Sequence, residues 1–156
     1  MSDGRDRATK RTMRATPRSE GLPSMRTVQA RVDSMVEHRA ALEHALAVML
    51  TEQRIVVIAL VYDRPLSTAD LAFAVRAWEP SPLFDQFERL RHRNAAYRVL
   101  YDLGKRRVLT RGMRDETLVF GLRRRVRAEV GAVLTPTARS RESAHSRQPI
   151  ASNGVR

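Results

Sequence analysis

Apolar residues in the N-terminal part of the chain recur at helical spacing. From Ser24 onward they follow alternating steps of four and three, a heptad-like pattern that predicts a long helix over residues 24–50. Only Arg39 interrupts this stripe, whose members are Val28, Val32, Met35, Leu42, Leu46 and Met49. Because a long helix without a neighbour must bury such a stripe, the pattern favours a homodimer held together by these residues. The alternative is an amphipathic helix that packs on its own domain.

Two further helices are predicted in the middle of the chain. The apolar run Glu52–Tyr62 is compatible with a buried strand, but the residues that follow it, beginning with Asp63-Arg64-Pro65, favour a helix. Ser67 can cap the next helix, and Asp70 in its first turn is stabilised by the helix dipole. One face of that helix, which ends at Glu79-Pro80, carries Leu71, Ala72, Val75 and Trp78.

Another pair of helical patterns lies between residues 81 and 104. Ser81-Pro82 combines a cap with a proline at the first helical position and opens a predicted helix. Its apolar face carries Leu83, Phe84, Phe87 and Leu90. Asn94 can cap a further helix that ends at Gly104, with Tyr97, Leu100, Tyr101 and Leu103 directed inward. The pattern is equally compatible with one continuous helix over residues 81–104.

A hairpin pattern follows these helices. Val108–Arg111 and Leu118–Leu122 are short apolar segments joined by a charged turn that contains Gly112, which predicts a β-hairpin over residues 108–122. A short basic helix is predicted to follow over residues 123–134. Arginines within and after the hairpin make this the most basic part of the chain.

Positive charge is distributed unevenly along the 156 residues, whose net charge is +12. Residues 88–127 hold thirteen Lys/Arg against four Asp/Glu, whereas residues 23–87 hold six against eight. A bias toward arginine codons does not explain this unevenness. The local excess of positive charge favours a surface that binds a polyanion, most commonly nucleic acid.

The composition also sets the domain organisation. Residues 1–23 and 135–156 lack apolar periodicity and are predicted to be disordered basic arms. The chain is long enough for one domain, which we place at residues 24–134. No apolar run approaches the roughly 20 residues that cross a bilayer, and Met1–Arg18 lacks the apolar segment of a secretory signal. Without cysteine, the chain is expected in a reducing cytoplasm.

Enzyme chemistry finds little support in the sequence. There is no cysteine for a thiolate metal site, no glycine-rich phosphate loop and no nucleophile elbow. The four histidines show no metal-ligand spacing, at His38, His44, His92 and His145. We therefore expect neither catalysis nor a metal or other cofactor.

The order of elements resembles the winged helix-turn-helix transcriptional regulators, particularly the MarR and PadR types. The similar segments are Pro65-Leu66-Ser67-x-x-Asp70-Leu71-Ala72, Leu100-Tyr-Asp-Leu103-Gly104 and Val108–Arg111. The resemblance covers about residues 50–122 and implies a mainly α fold, with a two-stranded β-wing added to the long N-terminal helix. A helix-sized insertion at Glu79–His92 departs from the pattern. So does Asp115-Glu116-Thr117, which lacks the arginine of an Asp-x-Arg pair.

The resemblance implies that the helix over residues 94–104 enters the major groove. Arg98 would then pair with guanine, and Asn94 would pair with adenine unless it serves only as a helix cap. Ala95 and Ala96 are small enough to allow close approach to base edges. Phosphate contacts are implied for Arg91, Arg93, Lys105, Arg106 and Arg107. In the wing, Arg111 and Arg114 would enter the minor groove or contact its backbone.

Simpler roles are open for several of these residues. Arg98 could equally be an ordinary exposed arginine. The run Arg123-Arg-Arg125 and Arg127 could be a solvated helix face or could contact phosphate. Tyr97 and Tyr101, like Trp78, are expected in the core rather than as stacking surfaces for single-stranded nucleic acid.

Together these patterns predict a homodimeric regulator of transcription that binds double-stranded DNA, reads an inverted repeat and associates with the nucleoid. Two alternatives stay open. One is a protein-interaction or assembly module on a winged-helix scaffold, in which the stripe of residues 24–50 binds a heterologous helix. The other is a nucleoid- or RNA-binding protein without sequence preference. A small effector between the N-terminal helix and the winged domain is also left open.

Overall fold

A computed structural model describes residues 21–79 and 88–135 of the protein. Nearly all of both predicted arms lies outside the described residues, and so does the helix start at Ser81-Pro82 with Leu83, Phe84 and Phe87. The described part is mainly α-helical and has one small three-stranded antiparallel sheet. At this level the predicted fold class is confirmed.

The predicted helix over residues 24–50 is in fact two helices. Helix α1, Met25–Glu37, begins at Ser24, whose hydroxyl accepts a hydrogen bond from the Thr27 amide at 3.2 Å. Helix α2, Arg39–Leu46, ends at Ala47 in the left-handed conformation. The prediction of one continuous helix is wrong. The break comes where Arg39 interrupts the apolar stripe, because a bend at this point lets both halves cover the same core.

The stripe predicted to hold a dimer together is largely buried inside the chain itself. Val28 and Met35 are fully buried, while Leu42 and Val32 are 1% and 7% exposed. Leu46 packs partly against the core, and Met49 is 71% exposed. Since no partner is needed to cover most of these side chains, the stripe no longer argues for a dimer. Homodimerisation itself stays a prediction.

Helix α3, Glu52–Val61, lies at the centre of the core. Its N-cap is Thr51, and every residue from Ile55 to Val61 is buried. The preference for a helix over a strand is confirmed. A helix that is apolar on all sides must be surrounded. Here α1, the helix over residues 93–105 and the sheet surround it.

The Ser67–Asp70 capping pattern is confirmed at the start of α4, Thr68–Ala77. The Asp70 amide donates to the Ser67 hydroxyl at 3.1 Å, and the Ser67 amide donates to the Asp70 carboxylate at 2.9 Å. Leu66 and Ser67, just before this helix, form a short strand, β1, that the sequence analysis did not anticipate. After the undescribed residues, a 3-10 turn spans Glu88–Arg91.

Helix α5, Arg93–Lys105, follows the 3-10 turn. The backbone of His92 is extended, with φ −87° and ψ 124°, so residues 81–104 do not form one helix. His92 is therefore the N-cap residue, and the expectation that Asn94 caps the helix is wrong. Ala96, Leu100 and Leu103 are fully buried and fasten α5 to the core.

The predicted hairpin is confirmed as β2, Leu109–Arg114, and β3, Thr117–Leu122. Strand order in the sheet is β1-β3-β2, with Leu66 opposite Phe120. A Cβ atom on Gly121 of β3 would lie 3.0 Å from the Pro65 ring, so the chain entering β1 packs closely against the β3 backbone at this glycine. The predicted basic helix is confirmed as α6, Arg124–Leu134, which packs on α1 and α2.

Candidate nucleic-acid interface

The outer face of α5 carries several of the residues predicted to contact DNA. Arg93, Tyr97, Tyr101 and Lys105 follow one another at steps of four and form one stripe along the helix. Asn94 and Arg98 lie beside this stripe and are exposed. Ala95 is half-buried, whereas Ala96 is fully buried, so the expectation that Ala96 approaches a base is wrong.

The one carboxylate of α5 is neutralised by arginines. Asp102 pairs with Arg54 of α3 at 2.5 Å and with Arg106 at 3.1 Å. The Arg54 side chain is only 16% exposed, so this pair links α3 to α5 below the surface. The sequence analysis missed this link, because nothing in the spacing joins two residues 48 positions apart. As a result, the exposed face of α5 presents cations without a free acid.

Two arginines on this face have no competing partner. Arg93 and Arg98 are exposed, and their side chains make no hydrogen bond or ion pair with any described residue. Arg91 differs, since it pairs with Glu88 at 2.8 Å in the 3-10 turn. The charge available to a ligand is therefore strongest at Arg93 and Arg98.

Two stacked tyrosines form part of the same surface. The Tyr97 and Tyr101 ring centroids lie 5.7 Å apart at an angle of 19°, and Tyr97 is 41% exposed. Lys105 and Arg111 lie over the Tyr101 ring at 5.0 and 5.5 Å. The expectation that Tyr97 belongs to the core is wrong, because Ala96, Leu100 and Leu103 already form the inner face of α5. The matching expectation for Trp78 is confirmed, since it is 6% exposed.

The two arginines of the hairpin point to different sides. Their separation of three residues in β2 places Arg111 and Arg114 on opposite faces of the sheet. Arg111 faces α5 through its contact with Tyr101, whereas Arg114 lies 3.8 Å from the Asp70 carboxylate at the start of α4. The turn between the strands is Asp115-Glu116, and both residues have positive φ. Their two carboxylates make the tip itself acidic.

Arg106 and Arg107 lie elsewhere. They line a cavity of about 650 Å³ together with Arg123, Arg124 and Arg125 at the start of α6. The C-terminal end of α2 and Thr110 of β2 complete its wall. The run Arg123–Arg125 was visible in the sequence. Its approach to Arg106 and Arg107 was not, because tertiary packing brings the two segments together.

The connection from α5 to β2 forms a Schellman motif with an arginine where glycine is usual. The Arg107 amide donates to the Gly104 carbonyl and the Val108 amide to the Leu103 carbonyl, at 3.1 and 3.0 Å. Arg107 has φ +59°, in the left-handed region. Gly104, where the helix was predicted to end, is helical and has open space where a Cβ atom would lie.

Comparison with protein-family models gives no match, and neither do searches of curated proteins and of solved structures. In the part of the chain that the structure describes, no helix has the length and apolarity to cross a membrane. Across residues 21–79 and 88–135, no three His, Asp or Glu side chains lie close enough together to hold a metal ion.

Proposed function

We propose that this protein binds double-stranded DNA as a winged helix-turn-helix regulator of transcription, with α5 in the major groove. The observation that carries the proposal is the pair of exposed arginines on the outer face of α5, Arg93 and Arg98, which have no side-chain partner among the described residues. The opposite face of the same helix is locked into the core. A reading helix needs this combination, because base contacts require side chains held on a rigid element.

The connectivity of the fold supports the same class. The order α3, β1, α4, a 3-10 turn, α5, β2 and β3, with β1 paired to β3, is compatible with a winged helix-turn-helix domain. In that fold α4 and α5 would be the helix-turn-helix pair, and the β2–β3 hairpin would be the wing. The wing follows α5 directly, so the two would contact neighbouring parts of one duplex.

The residues on and near α5 divide into those that would contact bases and those that would contact phosphate. Arg98 has the planar donor pair that binds guanine O6 and N7, and the Asn94 amide suits adenine. Half-buried Ala95 leaves the backbone of the first turn accessible. Arg93, Lys105 and Arg111 would hold phosphate and set the register of the helix without reading sequence. Arg114, close to Asp70, would contact backbone at the wing.

A homodimer on an inverted repeat remains part of the proposal, with a different contact surface. Met25 and Val36 are 40% and 46% exposed, and eleven residues, or about three turns, place them on one side of α1. These two apolar side chains would be the contact that α1 offers to a second copy. Two copies would place their α5 helices about 34 Å apart, one turn of the duplex.

The test is selection of binding sites from randomised duplex DNA by the full chain at two salt concentrations. Recovery of an enriched motif would support reading by α5, and a motif repeated with two-fold symmetry would support the dimer. The selected duplex is then titrated with Arg98→Ala and with Arg26→Ala. Arg26 is an exposed arginine of α1 outside the proposed face, so both variants lose one charge.

Arg98→Ala is expected to weaken the selected site by about 1–3 kcal/mol and to relax specificity at one position. Arg26→Ala should leave affinity and specificity near wild type. Equal affinity for the two variants, or selection without any enriched motif, would contradict sequence reading by α5.

A second candidate is binding to single-stranded nucleic acid, which the stack of exposed Tyr97 on half-buried Tyr101 favours. Stacking of a base on tyrosine contributes about 1–3 kcal/mol and tolerates any sequence. Tighter binding to an unpaired oligonucleotide than to the duplex, lost in Tyr97→Ala, would favour this candidate over the first.

A further inference from the structure

The cavity between α2, the α5–β2 connection and the start of α6 has an unusual wall. Five arginines line it, and no acidic side chain does: Arg106, Arg107, Arg123, Arg124 and Arg125. Like charges this close repel one another, most strongly where the wall is concave and field lines are focused. An anion held among them would relieve that repulsion.

Most of these guanidinium groups are available to a ligand. Among the described residues, the side chains of Arg107, Arg123 and Arg124 have no hydrogen-bond or ion-pair partner. Arg106 is paired with Asp102 at 3.1 Å, and Arg125 donates to the Ala45 carbonyl at 3.2 Å. Three side chains with planar donor groups therefore line one space of about 650 Å³.

The start of α6 adds to the positive field. Arg123 is the N-cap residue but provides no side-chain acceptor, and the first turn contains no acid. The first amide groups of a helix have no intrahelical acceptor, and the helix dipole makes this end positive. Three arginines at this positive end repel the helix dipole and destabilise the isolated helix. An anion in the cavity would instead be attracted by both the arginines and the dipole.

Arg107 adds an independent observation. Its φ of +59° is a conformation that glycine adopts without strain and arginine does not. Arg107 nevertheless occupies the position of the Schellman motif where glycine is usual, and it lines the cavity. Strained backbone at a lining residue is typical of binding sites.

We infer that this cavity binds a compact polyanion with two or more linked phosphate groups. Arginine suits this ligand, because each guanidinium can hold two phosphate oxygens at once. The cavity adjoins the C-terminal end of α5 but includes neither Arg93 nor Arg98. Arg106 and Arg107, predicted as contacts to DNA phosphate, are assigned to this site instead. The inference does not depend on the proposed function.

The test is calorimetric titration of the full chain at low ionic strength with orthophosphate, pyrophosphate and tripolyphosphate. Affinity is expected to rise along this series, because each added phosphate reaches another guanidinium. Arg124→Ala and Arg107→Gly are each expected to weaken tripolyphosphate binding about tenfold. Arg26→Ala, with the same loss of one charge, should bind as wild type does. The Arg107→Gly variant retains the backbone conformation, so its melting temperature should not fall.

Titration with further ligands identifies the source of the phosphates. Tighter binding of a nucleoside triphosphate than of tripolyphosphate would mean that the apolar wall, which includes Leu46 and Val126, holds the organic part. Equal affinity would mean that the oligophosphate group is the whole ligand. Either result supports the inference.

Three results would overturn it. One is equal tripolyphosphate affinity in all three variants, which would show attraction by net charge alone. Another is the absence of binding at low ionic strength. The third is displacement of tripolyphosphate by a short duplex whose own affinity falls in Arg124→Ala and Arg107→Gly, which would assign the cavity to DNA backbone.

Discussion

This protein has two arginine-rich surfaces that differ in shape. On the outer face of α5, Arg93 and Arg98 project from a convex helix beside stacked tyrosines. At the start of α6, Arg123–Arg125 line a partly open cavity together with Arg106 and Arg107. A convex row of cations fits the groove of an extended polymer, whereas a concave basic surface suits a small anion. Net charge alone cannot distinguish these roles, and geometry does.

Both surfaces depend on α5 being held rigidly. Arg93 and Arg98 lie in its N-terminal half, and Arg106 and Arg107 follow its C-terminal end. Leu100→Ala removes a fully buried side chain from the inner face of the helix and should destabilise the protein by about 2–5 kcal/mol. Urea unfolding measures this loss. Met113→Ala, at a position 66% exposed on β2, is the control and should change stability little. A small effect at Leu100 would mean that α5 is not anchored as described.

The two surfaces should respond separately to single substitutions. Arg98→Ala is expected to weaken duplex binding by about 1–3 kcal/mol while leaving tripolyphosphate affinity unchanged. Arg124→Ala should show the reverse pattern. Binding of both ligands to both variants, measured in one buffer, tests this. If either substitution weakens both ligands equally, the two groups form one surface and the comparison fails.

Asp102 connects the two surfaces, because it pairs with Arg54 below α5 and with Arg106 at the cavity. Asp102→Asn should destabilise the protein by about 1 kcal/mol, since the carboxylate is 37% exposed and screened by water. Arg54 loses its ionic partner but still donates to the Met49 carbonyl. Release of Arg106 should at the same time raise tripolyphosphate affinity about two- to threefold. Urea unfolding and titration of the same variant check both. Lower anion affinity would contradict the assignment of Arg106 to the cavity.

The smallest effect is expected from the strained connection between α5 and β2. Arg107→Gly relieves a left-handed arginine and should stabilise the protein by about 0.5–1 kcal/mol. Thermal unfolding in the absence of phosphate measures the gain. Gly104→Ala, inside α5 where a Cβ atom meets open space, is a useful comparison, because it should also stabilise without touching the cavity. A loss of stability in Arg107→Gly would mean that the arginine is held by contacts stronger than its strain.

Local patterns predicted most of the elements. Ser67 and Asp70 marked the start of α4, and apolar segments on either side of a charged turn marked the hairpin. The errors came at junctions. The bend at His38, the extended backbone at His92 and the strand at Leu66–Ser67 all depend on what the neighbouring segment packs against.

The candidate sites divide in the same way. The position of Arg98 on an exposed helical face follows from spacing, because helix periodicity assigns each residue a side. The placement of Tyr97 failed, since two leucines and an alanine were enough to form the inner face of α5. The cavity could not be read from the sequence at all, because its arginines come from segments that packing alone brings together.

Residues close together in the chain specify the local elements of this protein. They also specify that its positive charge is concentrated in residues 88–127. The packing of distant segments determines which cations are paired: Asp102 pairs with both Arg54 and Arg106, but no described acid reaches Arg98. It also decided the shape of each basic surface. Coulomb interactions depend on distance and on surrounding water, and both are set only when segments distant in sequence come together.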